Sequence, residues 1–567
     1  MLTQKFPEIQ YISPNFEQYE KEYNLSIDAL RNASSLAAQQ ESINQIYSLA
    51  REIETMTSLA YVRHSIDTTD EYYEKEQEKI DQLSPKIQQL TTEYHKVLSE
   101  SPFRAELTEI YGEQIFVYAS LSTKTINEEV ITDLQEENKL VSEYDKLIAT
   151  ASIDFEGEER NLSGLTPFAQ STDRDMRKRA TDARWNWFAS NMEKLDDIYD
   201  RLVKLRHQIA IKLGYKDFTE LGYARMRRSD YSAKEISTFR DHVYKYIVPI
   251  VNDLKERQRQ RLGYEKLEYY DQSFMYQSGN PTPKGNPDWI LNHGATMYNE
   301  LSPETKTFFA FMKDHELLDL VNKKGKMGGG YCTFFPTFKA PFIFSNFNGT
   351  SHDIDVLTHE AGHAFQVYNS SHFEVNEYYW PTSESAEIHS MSMEFFTWKW
   401  MSLFFEGDAD KYRFEHLAGS MNFIPYGTAV DEFQHRVYAE PTMTTIERRA
   451  MWRAIEKKYL PYRDYTGIPY LENGGFWHGQ AHIFASPFYY IDYVLAQLCA
   501  FQFWIRMQED FDGAWKDYVT LCKAGGSKSF LSLVNLANLK SPFEEKTIID
   551  TSAKIKTWLD NIDDKKL

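Results

Sequence analysis

The sequence contains the run His359-Glu360-Ala361-Gly362-His363, and around it apolar residues recur at spacings of three and four. That periodicity predicts an amphipathic α-helix with one buried face. The two histidines lie one turn apart on a different face, so both can reach one metal ion, while Glu360 points to the side where a metal-bound water would sit. The apolar residues of the buried face are Ile354, Leu357, Ala361, Ala364, Phe365 and Tyr368.

A second helix is predicted to begin at Pro381-Thr382-Ser383 and to carry a further metal ligand. A catalytic zinc usually has three protein ligands and one open position. Glu387 and Glu394 are seven residues apart and share a face, with Glu384 at the edge of that face. We expect Glu387 to be the third ligand and Glu394 to orient a ligand, and spacing alone leaves Glu384 open as the alternative ligand.

Other polar residues on these two helices have expected places as well. Glu360 is expected to accept the proton of the water and to deliver it to the leaving amine. Asp355, one turn before the first histidine, is expected to accept a hydrogen bond from a histidine N–H. His389 is two residues from Glu387 and so faces away from it, which is typical of a packed or exposed histidine.

A short sheet is predicted just before the first helix. The segments 326–335 and 340–347 are rich in aromatic residues and are predicted to be strands. Three successive glycines, Gly328-Gly329-Gly330, precede the aromatic part of the first strand and let another backbone approach closely. The sequence therefore places a small sheet next to the candidate metal helix.

Candidate hydrogen-bond donors lie near the C-terminus. His482 is followed by Ser486-Pro487, which is expected to start a helix. Tyr489, Tyr490 and Tyr493 come next, and Tyr493 can share a helix face with either of the other two. An oxyanion formed during peptide hydrolysis needs such donors besides the metal, but spacing does not decide which tyrosine faces the site.

The bulk composition limits the class of protein. The 567 residues exceed the size of one hydrophobic core, about 250 to 300 residues, so at least two lobes are expected. We divide the chain into a helical lobe, 1–190, and a catalytic region, 191–567. A net charge of -21 argues against nucleic acid as a partner. Helices are predicted for 36–62, 67–100, 127–149 and 173–213.

The expected location is the cytoplasm. The three cysteines, Cys332, Cys499 and Cys522, are far apart and suggest neither a disulfide framework nor a cysteine metal site. No run of about 18 apolar residues predicts a membrane span. The first residues, 1–11, lack the pattern of a secretory signal.

Three segments together resemble oligoendopeptidase F and the Pz-peptidases, and more distantly thimet oligopeptidase. The segments are 359–366 (HEAGHAFQ), 387–394 (EIHSMSME) and 482–493 (HIFASPFYYIDY). The resemblance runs from about residue 200 to the C-terminus and implies a mainly α fold. It also implies two helical lobes around a deep substrate channel, with zinc at the floor and a small β-sheet beside it.

The resemblance also implies roles for individual residues. Glu387 becomes the third metal ligand in preference to Glu384. His482 and one or two of the tyrosines are implied to bind substrate or stabilise the oxyanion, and Tyr493 matches the family pattern best. We therefore list His482, Tyr490 and Tyr493 as catalytic, and Gly329, Gly330 and Tyr489 as substrate-binding. The chain departs from the family pattern at Ala485, where an acidic residue is common.

The sequence thus predicts a zinc-dependent endopeptidase with one Zn²⁺ per chain that cuts short unstructured peptides internally. A zinc carboxypeptidase with the same metal motif is the alternative among enzymes. A catalytically silent peptide-binding protein would be expected to lack the base, yet Glu360 is present. A scaffold with structural zinc usually has four ligands including cysteine, and neither ligand helix contains one.

Overall fold

The computed structural model describes residues 2–567 and confirms a mainly α-helical chain. Three of the N-terminal helices begin with side chains that accept backbone N–H groups, namely Asn15, Ser35 and Asp70. Such caps satisfy donors that the first turn of a helix leaves without partners. The helices of this part are Phe16–Asn32, Leu36–Ile66, Glu71–Ser99, Arg104–Tyr111 and Gln114–Ser122.

These N-terminal helices form a core of their own, rich in tyrosine. Tyr23, Tyr47 and Tyr94 are buried inside it, and Val375 and Tyr378 reach it from a distant part of the chain. A second, larger core holds apolar residues from 126 to 559 and a few from the first 62 residues. The expectation of more than one core is confirmed, while the division at residue 190 stays a prediction.

The middle of the chain continues as helices joined by short turns. A small antiparallel hairpin of Ile153–Phe155 and Glu158–Arg160 interrupts them. Residues 277–286 form a loop that ends where Pro287 starts a helix. The helices are Ile131–Ala149, Thr166–Ala169, Arg174–Ser190, Met192–Lys212, Phe218–Arg225, Ala233–Tyr246, Val248–Leu262, Pro287–Leu301 and Pro303–Asp314.

A three-stranded sheet follows, and both predicted strands belong to it. Ala340–Phe347 is the central strand, with Leu318–Val321 parallel on one side and Tyr331–Phe335 antiparallel on the other. The prediction missed Leu318–Val321, because four residues are too few to show an alternating pattern. Tyr331–Phe335 is an edge strand, so one row of its backbone groups is free to pair with another chain.

The remaining helices include the three that build the candidate site. We call His352–Ser370 the ligand helix, Ser383–Phe396 the carboxylate helix and Tyr490–Glu509 the tyrosine helix. The others are Ser402–Phe405, Ala409–Ala439, Thr445–Tyr459, Pro469–Glu472, Ala481–Ala485, Phe511–Ala524, Phe530–Leu536 and Glu545–Asp560.

The ligand helix and the carboxylate helix pack unusually close together at Gly362. A Cβ atom at that position would lie 2.6 Å from Ser390 Cα and 2.7 Å from the carbonyl oxygen of His389. Real Cβ atoms do not approach other atoms so closely, so only glycine permits this helix spacing. The predicted apolar face of the ligand helix is also confirmed, since Ile354, Leu357 and its other members except Tyr368 are fully buried.

A cavity of about 890 Å³ lies between the N-terminal core and the larger core. Its walls include Tyr47 and Tyr94 from the first core and Leu134 and Ala485 from the second region. A smaller cavity of about 420 Å³ adjoins the ligand helix. Within residues 2–567, no helix is both long enough and apolar enough to cross a bilayer.

We predict that Gly362→Ala lowers the stability of the protein by about 1–3 kcal/mol, the usual cost of forcing an extra methyl group into a packed interior. Thermal unfolding followed by calorimetry would measure the change. Gly419→Ala is the matched control, because a Cβ atom at this helical position meets nothing within 4 Å. Equal unfolding temperatures for the two variants would contradict the close helix contact.

Candidate active site

Two histidines and a glutamate converge where the ligand helix crosses the carboxylate helix. The Oε2 atom of Glu387 lies 3.2 Å from Nε2 of His359 and 3.3 Å from Nε2 of His363. One donor atom from each of the three residues lies within 4.8 Å of the others, close enough for one metal ion to bind all three. Ser390 Oγ donates to the same carboxylate oxygen at 2.9 Å and helps to orient it.

A chain of hydrogen bonds sets the protonation of His359. Trp398 Nε1 donates to Nδ1 of His416 at 3.0 Å, so His416 donates from Nε2 to Glu394 at 2.6 Å. The other oxygen of Glu394 accepts from Nδ1 of His359 at 2.7 Å. Because Glu394 occupies Nδ1, Nε2 is the nitrogen of His359 that faces the convergence point, as a metal ligand requires.

Two of the three carboxylates of the carboxylate helix, Glu387 and Glu394, are ionised despite their burial. Burial by itself raises the pKa of Glu394, but hydrogen bonds from His359 and His416 outweigh it and lower the pKa to about 2. For Glu387 burial also opposes ionisation, and the two nearby histidines nevertheless hold its pKa well below the usual range. Both groups therefore keep their negative charge at neutral pH.

Glu360 lies between the ligands and the edge strand. Its side chain is buried, and Oε2 forms no hydrogen bond with any residue in the range 2–567. Gly330 passes directly over it, since a Cβ atom there would be 2.9 Å from Val356 and 3.2 Å from Oε1 of Glu360. Gly329 adopts a left-handed backbone with φ of 88° and its carbonyl accepts from Asn346 at 2.8 Å.

A second hydrogen-bonded chain orients His482. Tyr426 donates to Oε1 of Gln480 at 2.8 Å, and Nε2 of Gln480 donates to Nδ1 of His482 at 2.9 Å. Burial lowers the pKa of His482 to about 4, so the ring is neutral and its proton resides on Nε2. That nitrogen is hydrogen-bonded to the hydroxyl of Tyr493 at 3.1 Å.

The three tyrosines lie together but make different contacts. Tyr489 donates its hydroxyl proton to Oε1 of Glu387, so it touches a candidate metal ligand. Its ring packs 4.9 Å from that of Tyr493, whereas Tyr490 turns toward Phe423 and Tyr426. Burial holds the pKa of all three hydroxyls well above the ordinary value, so each remains a proton donor.

The expectation that Ser486-Pro487 starts a helix is wrong. The tyrosine helix begins at Tyr490, because Phe488 adopts a left-handed backbone with φ of 68° that a helix cannot contain. The segment 486–488 is instead a turn that follows the short helix Ala481–Ala485. Local sequence preference for Ser-Pro at a helix start is thus overridden by the packing of Phe488.

Asp355 does not take the expected position. Its Oδ1 accepts from the hydroxyl of Tyr412 at 2.6 Å, and the Nδ1 atom of His359 bonds to Glu394 instead. The aspartate lies one turn from the histidine on the same helix, but a carboxylate on the neighbouring helix approaches the ring nitrogen more directly. Asp355 therefore lines the smaller cavity rather than supporting a ligand.

The two residues weighed against Glu387 lie elsewhere. Glu384 accepts from Tyr231 at 3.1 Å, and it is not part of the three-residue group that can hold a metal. His389 is fully buried against Tyr518, and burial lowers its pKa to about 3. Both observations agree with the prediction that Glu387 is the third metal ligand.

Several residues that orient the site were not predicted from the sequence. His416, Trp398, Gln480 and Tyr426 lie far from the motifs or carry no distinctive spacing, so no signal in the sequence identifies them. Ser390 shares a predicted face with Glu387, and that spacing could have suggested its hydrogen bond.

Comparison with known proteins defines the class. Residues 6–126 match the peptidase M3 N-terminal domain, and residues 168–282 and 309–551 match peptidase family M3. The second match covers more than half of the sequence, and the chain belongs to peptidase family M3.

Solved structures narrow the type within that family. The chain is 54% identical to Pz peptidase A over 99% of this chain and 100% of that one, with a TM-score of 0.98. It is 53% identical to an oligoendopeptidase F structure from Bacillus anthracis str. Ames over the full length of both, with a TM-score of 0.95. An oligoendopeptidase F homolog of Borreliella burgdorferi is 22% identical over 556 residues, 94% of this chain and 90% of that protein. The resemblance to oligoendopeptidase F and Pz-peptidase is confirmed.

We predict that Glu387→Ala weakens metal affinity by more than about 100-fold, beyond the loss typical of a residue that only supports a ligand. Titration with a chromophoric chelator would measure the affinity. Glu384→Ala, on the same helix and equally buried, is the control and should bind metal nearly as well as the unaltered protein. The opposite order would make Glu384 the ligand.

Proposed function

We propose that the chain is a zinc-dependent endopeptidase that hydrolyses internal bonds of short unstructured peptides. The observation that carries the proposal is the convergence of His359, His363 and Glu387 beside the carboxylate of Glu360. Membership of peptidase family M3 supports peptide hydrolysis as the reaction.

The donor set fits one zinc ion per chain. Two imidazole nitrogens and one carboxylate are a typical ligand set of a catalytic zinc, with a further position left for water or substrate. The Nε2 lone pair of His359 is available for bonding because Glu394 holds the proton of Nδ1. Bound zinc would polarise the scissile carbonyl and lower the pKa of a water molecule.

Glu360 is the proposed general base. Its Oε2 atom has no hydrogen-bond partner among the described residues, so it is available to accept a proton from the attacking water. The same oxygen can then pass that proton to the amine that leaves. Gly330 allows the edge strand to lie against this carboxylate without a side chain between them.

Tyr493 and His482 are the proposed donors to the oxyanion that forms from the scissile carbonyl. They are hydrogen-bonded to each other, and the neutral ring of His482 carries its proton on Nε2. Donors held in place before the reaction stabilise developing charge without the cost of reorganisation. Tyr490 lies beside them at 5.4 Å from the ring of Tyr493 and is proposed to assist, and Tyr489 to contact substrate.

The substrate backbone is proposed to pair with the edge strand Tyr331–Phe335. An extended peptide can add to a free strand edge by main-chain hydrogen bonds, which give affinity without demanding a particular sequence. Gly329 and Gly330 lead into this strand and are proposed to contact the substrate backbone, and the space beside Gly329 is open. The smaller cavity, about 420 Å³ in volume and lined by Gly330, is too narrow for a folded protein and favours short flexible peptides.

A zinc carboxypeptidase is the second candidate, and one observation favours it. Arg227 lines the larger cavity, and it forms no ion pair with any residue of the described range 2–567. A free guanidinium can bind the carboxylate at the end of a peptide.

The cytoplasm remains the proposed location, and the three cysteines are unpaired in agreement with it.

Mass spectrometry of the products would distinguish the candidates. Peptides of graded length and one unfolded protein would be incubated with and without a zinc chelator. We expect internal cuts that the chelator abolishes and that are confined to the shorter peptides. Stepwise loss of C-terminal residues would identify a carboxypeptidase, and intact peptides with metal bound would identify a silent binding protein.

We predict that Glu360→Gln retains the metal and lowers kcat by about 10²–10⁴-fold, the usual contribution of a general base. Metal content and turnover of one peptide would be measured on the same sample. Glu415→Gln is the control, because Glu415 lines the smaller cavity but is not a proposed ligand or base. Full activity of Glu360→Gln would remove Glu360 from the mechanism.

A further inference from the structure

Two buried arginines hold the ends of the segment 484–488, which connects His482 to the tyrosine helix. It comprises the last two residues of the helix Ala481–Ala485 and the turn 486–488, and we call the whole segment the turn 484–488. Arg206 donates from Nη2 to the carbonyl oxygen of Phe484 at 2.6 Å. Arg228 donates from Nη2 to the carbonyl oxygen of Phe488, also at 2.6 Å. Both side chains are fully buried, so the backbone of this turn is fixed by charged donors from inside the protein.

Each arginine is paired with a carboxylate from another element. Arg206 donates to Glu137 at 2.7 Å, and Arg228 donates to Asp492 at 2.6 Å. Removing one partner from a buried ion pair leaves an uncompensated charge, which is strongly unfavourable. Asp492 lies in the first turn of the tyrosine helix, so Arg228 joins the end of the turn to the start of that helix.

Phe488 is held in a conformation that its neighbours impose. Its φ of 68° is rare for a bulky side chain and costs free energy unless the surroundings enforce it. Gln434 accepts from its backbone N–H at 3.1 Å, and Arg228 binds its carbonyl. Its ring fills a pocket next to Gly222, where an added Cβ atom would lie 2.6 Å from the ring.

The turn joins the groups that face the candidate metal ligands. His482 comes just before it and Tyr489 just after it, and Tyr489 donates to Glu387. The bond between His482 and Tyr493 spans the turn at 3.1 Å. A shift of the turn would therefore change the distance between these donors and the candidate metal site.

We propose that Arg228 is a positioning residue of the reaction, which fixes Phe488 and the start of the tyrosine helix so that Tyr489 and Tyr493 face the metal site. Arg206 has the same role at Phe484 on the His482 side. The proposal rests on the proposed function. Arg228 touches neither substrate nor metal ligand and acts only through the turn.

Arg228→Lys tests this role while keeping the positive charge. The carbonyl of Phe488 and the carboxylate of Asp492 both accept from Nη2 of Arg228. The ammonium of lysine sits one bond closer to the backbone than Nη2, so it does not reach both acceptors in the same geometry. A misplacement of about 1 Å can cost about 100-fold in rate, so we expect kcat to fall about 10- to 100-fold. KM should change far less, since peptide pairing with the edge strand is untouched.

Arg177→Lys is the matched control. Arg177 is also fully buried, pairs with Asp271 at 2.9 Å and donates to the carbonyl of Ser171 at 2.7 Å, but none of these residues lines either cavity. It should lose thermal stability as Arg228→Lys does and keep its kcat. Equal kcat values for the two variants, measured well below their unfolding temperatures, would overturn the proposal.

A double-mutant cycle with Tyr489→Phe and Tyr493→Phe separates positioning from general damage. If Arg228 acts through these tyrosines, Arg228→Lys will cost much less in a background that lacks both hydroxyls. Losses that simply multiply would overturn the proposal. Gln434→Leu releases the same turn while leaving the ion pair intact, and it replaces Arg228→Lys in the cycle if that variant does not fold.

The unaltered protein keeps the two levels of inference apart. If it cleaves no peptide in a metal-dependent way, the proposed function fails. If it cleaves peptides in a metal-dependent way but the losses in kcat multiply in the double-mutant cycle, the proposed function stands and the role of Arg228 is refuted.

Discussion

The close contact of the ligand helix with the carboxylate helix at Gly362 is the constraint on which the candidate site depends. Glycine lets the two backbones approach until Ser390 lies against the ligand helix. At that separation one carboxylate oxygen of Glu387 lies 3.2–3.3 Å from both histidine nitrogens. A larger residue would push the helices apart, and the three donors would no longer converge on one point.

Around this contact, hydrogen bonds from more distant residues fix the positions of the protons on the histidines of the candidate site. The chain from Trp398 through His416 and Glu394 decides which nitrogen of His359 carries the proton. A second chain of hydrogen bonds, from Tyr426 through Gln480, decides which nitrogen of His482 carries the proton. Because neutral histidine can bind metal or donate a proton only through the appropriate nitrogen, these chains convert a cluster of residues into an arrangement with defined roles.

The surrounding architecture supports the proposed preference for flexible peptides. The edge strand next to Glu360 offers free backbone groups, and the smaller cavity is lined by Gly330, His359 and Glu360. Helices form most of its walls, and the turn 484–488 is held by buried arginines. Recognition through the backbone beside a narrow cavity suits short peptides of varied sequence.

The sequence by itself determined the helical character, the two aromatic strands and the ligand helix with its buried face, because these depend on residue periodicity and local spacing. Spacing left Glu384 open beside Glu387 as the third ligand, and only the family resemblance favoured Glu387. The sequence could not reveal that Asp355 bonds to Tyr412, that His416 supports Glu394, or that Tyr489 rather than Tyr490 reaches Glu387. Those contacts join segments from 22 to 102 residues apart. Only the tertiary structure decides them, because the packing of whole helices sets the rotation and distance of each side chain. The residues next to each other in the sequence do not specify that packing.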